Sequence, residues 1–181
     1  VLLSSPGDDA QMISALLDAS ASVPVILVNG FIDAPNIYCI QRDDAFATQE
    51  CIQHLMSLGC RKLLFVSDFS YSSDFIKQQA FLKCGRQFAS EADFTIYPSS
   101  CNHLDCKDVC AFIAANPSKF DGVIASNDII ALGMLRNLWK LGIKIPQDIK
   151  LIGFDNVVFS SLCIPTLTTV DNKIDEHCKV T

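Results

Sequence analysis

The chain has 181 residues, half of them hydrophobic, and a formal net charge of −6 at pH 7. That is enough apolar material for one sizeable α/β domain or two small lobes sharing a crevice. Reading nucleic acid needs a basic footprint, and here Lys and Arg are scattered singly apart from Arg61-Lys62. The composition therefore speaks against a nucleic-acid face and for an acidic ligand-binding or catalytic body.

Nine cysteines stand at 39, 51, 60, 84, 101, 106, 110, 163 and 178. The count is odd, and Cys39, Cys51 and Cys163 lie inside apolar runs. A disulfide framework suits small secreted domains that lack a core, whereas this chain has one, so the reading is buried free thiols in a reducing cytosol. The start, VLLSSPGDD, has no basic region of a secretory leader and reads as a core strand. The expectations are a fragment of a longer protein and a cytoplasmic location. No apolar run reaches the ~18 residues of a membrane span.

Strands and helices alternate along the chain. Val1–Leu3 reads as a short buried strand. Asp8 or Asp9 caps a helix carrying Ile13, Leu16 and Leu17. Val25–Val28 is a strand opened by Pro24, and a turn-rich stretch from Asn29-Gly30 to Pro35-Asn36 leads to the strand Ile37–Ile40. Asp43 or Asp44 caps a helix closed by Leu58-Gly59. The strand Lys62–Val66 follows, then a helix from Asp74 with Phe75, Ile76, Ala80 and Phe81, and a weaker strand Phe94–Tyr97. A helix from Asp105 runs through Val109, Phe112 and Ile113 to Asn116-Pro117. Gly122–Ala125 is a strand, Asp128 caps a helix ending at Gly142, and Ile149–Phe154 and Leu167–Val170 are strands. Such alternation predicts a doubly wound parallel sheet.

Ligands of open parallel sheets bind at the carboxyl ends of the strands. The residues there are Ser4-Ser5, Asn29, Ser67-Asp68, Ser126-Asn127-Asp128 and Asp155-Asn156. All are short hydrogen-bonding side chains of the kind that hold sugar hydroxyls. Taken singly, each also suits a helix cap or turn. Enzyme signatures are absent: there is no G-x-G-x-x-G, no P-loop and no G-x-S-x-G elbow. Cys101, His103, Cys106 and Cys110 are zinc-type ligands, but their spacing matches no zinc motif, and the reading is that there is neither metal nor cofactor.

The segment FDGVIASNDIIALGMLRNLWKLGIKIPQDIKLIGFDN resembles the lactose/galactose-repressor family of transcription regulators. It carries N-D followed by A-x-G, then G-x-x-x-P-x-D, then G-F-D. The tail IPTLTTVD, the segment HLMSLGCRKLLFVS and the opening VLLSSP…VPVILVN extend the resemblance over nearly the whole chain. It implies an α/β fold of two Rossmann-like lobes with parallel sheets, periplasmic-binding-protein-like type I, with the first lobe incomplete. Residues 1–60 and 167–181 would form that first lobe and 61–166 the second. It also implies a small sugar-like effector bound between lobes, a homodimer, no membrane, and DNA contact only through a helix-turn-helix head missing from this chain.

Carried over by position, Asn127 matches the family's ligand-contacting Asn and Asp155 its ligand-contacting Asp. Lys77 stands where the family has an effector-binding Arg, and Ala80 where it has Gly; a Lys supplies a point charge in place of a planar fork. Phe46 falls near a ligand-facing position, and Ser5 follows the first strand. Cys101 falls near a position that is often aromatic. The expected dimer uses the helix from Ile129 to Leu141, with Met134 and Trp139 on the partner-facing side. The competing readings are a periplasmic-type sugar receptor, an enzyme, and a ligand-less fragment of a repressor.

Overall fold

A computed structural model describes residues 2–4, 9–67, 72–98, 106–173 and 179. In chain order the elements are β1 (Leu2–Ser4), α1 (Ala10–Ser20), β2 (Val25–Val28), β3 (Ile37–Ile40), α2 (Asp44–Ser57), β4 (Lys62–Ser67) and α3 (Ser72–Gln87). They continue with β5 (Asp93–Pro98), α4 (Lys107–Ala115), β6 (Gly122–Ala125), α5 (Asp128–Lys140), β7 (Lys150–Phe154), α6 (Val158–Leu162) and β8 (Thr168–Val170). Among the described residues every strand pairing is parallel, in a three-stranded sheet ordered β1-β2-β3 and a five-stranded sheet ordered β5-β4-β6-β7-β8. The expected fold class, parallel α/β of the periplasmic-binding-protein-like kind, is what the chain adopts.

The chain divides into two units, residues 1–43 with 173–181 and residues 44–172. This differs from the division expected at 60/61 and 166/167, for two packing reasons. Helix α2 buries Cys51, Ile52 and Leu55 in the same cluster as Leu63 and Phe65 of β4 and Phe81 of α3. Strand β8 pairs with β7, Ile152 to Thr168 through Phe154 to Val170. A strand's backbone must find its partners somewhere, and β8 finds them in the larger sheet.

In the smaller unit, α1 starts where Asp9 accepts from the amides of Gln11 and Met12. Leu16, Val25 and Leu27 form its small core. In the larger unit the strands are buried on both faces, and period-2 alternation divides their side chains. Leu64, Val66, Val123, Ala125 and Leu151 face one cluster, with α4 and α5. Leu63, Phe65, Ile124, Ile152 and Phe154 face the other, with α2 and α3. Phe65, Phe81 and Phe154 are among the largest fully buried side chains, and each such burial stabilises by about 1.5–3 kcal/mol. The Phe81 ring lies 5.5 Å from that of Phe65 and 5.1 Å from that of Phe94.

Two glycines close helices as the sequence reading expects. Gly59 and Gly142 take φ of +88° and +78°, a region closed to most side chains. At α5 the expected cap moves by one residue. Asn127 is the cap and accepts from the Ile130 amide, while Asp128 opens the helix and turns inward, fully buried. The five-residue α6 was not foreseen; it is too short to show a helical period.

The seven described cysteines are free thiols. Cys106 and Cys110 are buried against α5, with their sulfurs 3.5 Å from Ile130 O and 3.8 Å from Met134 O. They point into the core, while Cys101 and His103 lie outside the described residues.

The expectation of Met134 on a partner-facing side is overturned. Met134 is fully buried in its own unit's core, whereas Trp139 is 75% exposed. The two substitutions should therefore separate. Met134→Ala should cost ~2–5 kcal/mol of stability by urea denaturation, as a large-to-small core change. Trp139→Ala should stay within about 0.5 kcal/mol of wild type for the isolated chain. Equal costs would contradict this placement.

Candidate functional site

The order β5-β4-β6 means the chain leaves β4 toward one side of the sheet and returns on the other. Helix α3 covers one face and α4 the other on the way. Such a reversal opens a crevice at the carboxyl ends of the strands that flank it. Ser67 ends β4, and Ser126-Asn127 follow β6; Asp155 follows β7. Helix α2 joins β4 through the tight turn at Gly59, so its first turn, which holds Phe46, lies toward the same carboxyl edge. Phe46 is 59% exposed. Ser5 and Asp68 lie outside the described residues.

Lys77 joins two of these strand ends. It is buried on α3, and its Nζ donates to Ser126 O at 2.8 Å. The same Nζ stands 4.5 Å from the centroid of the Phe154 ring and 3.8 Å from Asp74 Oδ1. A buried ammonium is stable only with such partners. Lys77 thus reaches both the residue before Asn127 and the residue before Asp155. Ser126 is also fully buried, and its Oγ has no hydrogen-bond partner among the described residues.

Asn127 spends its side-chain oxygen on the cap, 2.9 Å from Ile130 N. The amide Nδ2 remains a donor at the start of α5. Asp155 and Asn156 turn the chain sharply, with φ of +103° and +47°, which Asp and Asn tolerate better than most residues. The Asp155 amide donates to Val170 O at 3.0 Å. Its carboxylate Oδ1 accepts from Asn172 Nδ2 at 2.8 Å. A carboxylate and carboxamides at one strand edge can take paired hydroxyls as both donors and acceptors.

Behind these residues stands Asp128. Its Oδ2 accepts from Val157 N at 3.0 Å and Ser160 Oγ at 2.6 Å. Its Oδ1 accepts from Thr169 Oγ1 at 2.6 Å. Thr169 Oγ1 in turn accepts from Asn156 N at 3.2 Å. Gly153 passes so close that an added Cβ would overlap Asp128 Oδ1 and stand 3.1 Å from Leu167 Cδ2. The sequence reading missed Asn172, Thr169 and the inward role of Asp128. The N-D, G-F-D and L-T-T motifs held the signal, but only the fold shows that they meet.

Among the described residues no three His, Cys, Asp or Glu side chains cluster as metal ligands. No described helix is long and apolar enough to cross a membrane.

The strand order and pairings define a two-unit parallel α/β protein. Residues 52–180 match the periplasmic binding protein-like domain family. The chain belongs to that family. It is 26% identical over 164 residues to an HTH-type transcriptional regulator of Lachnoclostridium phytofermentans, which covers 90% of this chain and 49% of that protein. The chain spans about half the length of the curated relatives it matches. A LacI transcriptional regulator from a Rhodococcus species superposes with a TM-score of 0.85 at 20% identity, over 99% of this chain and 66% of that one. A periplasmic binding protein/LacI transcriptional regulator from Alkaliphilus metalliredigens QYMF, complexed with D-xylulofuranose, has a TM-score of 0.69 and 28% identity. That match covers 87% of this chain and 59% of the other.

The thiol of Cys51 on α2 adds a pH dependence. Burial pushes its pKa from 9.0 up to about 12, and the charge of Lys77 opposes this only in part. Burial also raises Cys60 and Cys84. The unfolded chain loses these protons first, so stability is whole below pH 9 and falls as pH rises from there toward 12. Between those values Cys51 alone should cost ~1.4 kcal/mol per pH unit. Urea midpoints measured between pH 7 and 10.5 check this, and Cys51→Ala should flatten the alkaline fall.

Proposed function

We propose that this chain is the effector-sensing part of a sugar-responsive transcription regulator. It binds a small sugar-like molecule through Asn127 and Asp155, and controls DNA binding by a helix-turn-helix head that lies outside this sequence. The observation that carries the reading is the convergence at one strand edge of Asn127, Lys77 and Asp155, with Asn172 holding the carboxylate. The sugar found in the Alkaliphilus relative supports the ligand class. In this reading the buried Lys77 acts on the site from beneath, through Ser126 O and the Phe154 ring, and Phe46 and Ser5 are the further contacts. The chain is not an enzyme, needs no cofactor or metal, and works in the cytoplasm. Closure on the effector shifts the population of a regulator that pre-exists in two states.

The test is calorimetry of the purified chain against neutral mono- and disaccharides, D-xylulose among them. One of them should bind, and Asp155→Ala should weaken it by about 1.5–3 kcal/mol, as for loss of a hydrogen bond to a charged group. Equal affinity of wild type and variant would remove Asp155 from the site.

A homodimer belongs to the same reading. Val158, Phe159 and Leu162 of α6 are 66%, 60% and 69% exposed, and the following Ile164 is 90% exposed. Four large apolar side chains exposed within the segment 158–164 are unusual for a monomer and typical of an interface core. A second copy of this chain is the partner they fit. Sedimentation equilibrium at tens of micromolar should give a dimer for the wild type and a monomer for Leu162→Glu; a Leu162→Glu dimer as tight as wild type would exclude this surface.

A further inference from the structure

We infer that Asp128 is the positioning residue of the effector site: it sets Asp155 relative to Asn127 without touching ligand itself. This deepens the proposed function and rests on it. Asp128 is fully buried and directly follows Asn127 in the chain. It reaches the loop after β7 by two routes. One is direct, from Oδ2 to Val157 N at 3.0 Å. The other runs from Oδ1 to Thr169 Oγ1 at 2.6 Å and on to Asn156 N at 3.2 Å. The amides on both routes belong to the two residues that follow Asp155. Thr169 sits on β8, whose next residue, Val170, accepts from the Asp155 amide at 3.0 Å. The strand then reaches Asn172, which holds the Asp155 carboxylate.

A buried carboxylate that accepts from Val157, Ser160 and Thr169 is rigid, because moving any donor would leave charge without compensation. The φ values of Asp155 and Asn156 lie in a region that non-glycine residues visit only when their surroundings impose it. Asp128 and Thr169 supply that imposition. Gly153 belongs to the same device, since a side chain there would displace Asp128 Oδ1.

The experiment compares wild type, Thr169→Val, Thr169→Ser and Asp128→Asn in the whole chain. Amide exchange by NMR reads the loop, the side-chain NH2 resonance of Asn172 reads the grip on Asp155, and calorimetry with the sugar panel reads the site. Thr169→Val should leave exchange in β4 and β6 as in wild type, speed exchange at Asn156, and shift the Asn172 resonance. Affinity for the bound sugar should fall about tenfold or more, the scale of a lost charged-group hydrogen bond. Thr169→Ser, which keeps the hydroxyl, should restore all three. Asp128→Asn should do the same to Val157 and lower the global stability as well. If both disruptive variants leave Asn156, Val157 and Asn172 unchanged, the inference is overturned. It is also overturned if they move while the folded protein binds sugar as tightly as wild type. If wild type binds no sugar in the panel, the sugar reading fails separately. Exchange and the Asn172 resonance then decide alone whether Asp128 holds the loop.

Discussion

One buried carboxylate organises the carboxyl edge of the larger unit's sheet. Asp128 ties the start of α5, the α6 segment and β8 together through the Val157 amide and the hydroxyls of Ser160 and Thr169. Hydrogen bonds to a charged acceptor contribute about 1.5–3 kcal/mol each, and losing one partner inside a protein costs more than the bond was worth. Three chain segments separated by up to 41 positions therefore share one arrangement. The parallel sheet alone would not give this. Strand pairing fixes β7 beside β8, but the loop between them is free to vary unless something inside holds it.

That requirement explains sequence features which otherwise read as loosely related. Gly153 has no side chain because the carboxylate occupies the place of its Cβ. Ser160 is fully buried although serine is usually exposed, because its hydroxyl completes the carboxylate's shell. The N-D, G-F-D and L-T-T motifs are parts of one hydrogen-bonded unit. Lys77 makes a parallel connection on the other face of the sheet, from Ser126 O to the Phe154 ring. The strand ends before Asn127 and before Asp155 are thus linked twice, once by a cation and once, one residue further on, by an anion.

The fold was legible because strand and helix periods are strong local signals. The strands 25–28, 37–40 and 122–125 have the bounds expected from sequence, and Gly59 and Gly142 close helices where their backbone freedom is needed. What escaped was non-local. Asp128 read as a cap because an Asp before a helix usually is one; its neighbour Asn127 took that role and freed the carboxylate to turn inward. Helix α5 is apolar on more than one side, which sequence alone allows to mean a partner subunit. In the structure α4 and the sheet cover the Met134 side, and the large apolar side chains that stay exposed there are Ile129, Trp139 and Leu141. The unit boundaries shifted for a similar reason. Nothing local in the segment 44–57 says which sheet its buried residues join.

The substitution of Lys77 for an expected Arg makes physical sense in this setting. An Arg fork is suited to hold a planar anion from the side of a site. Lys77 instead carries a compact charge on a long apolar stem that suits burial, while the ammonium reaches a backbone carbonyl and the face of the Phe154 ring. With 2% of its surface exposed, it offers little charge to solvent. The polar groups left at the strand edge are then a carboxylate and carboxamides, at Asp155, Asn127 and Asn172. Such an edge is matched to neutral hydroxyls, which donate to the carboxylate and accept from the amides, and is poorly matched to a phosphate, which can only accept from them. Lys77 thus belongs to the frame beneath Asp155, tied to Ser126 O and the Phe154 ring.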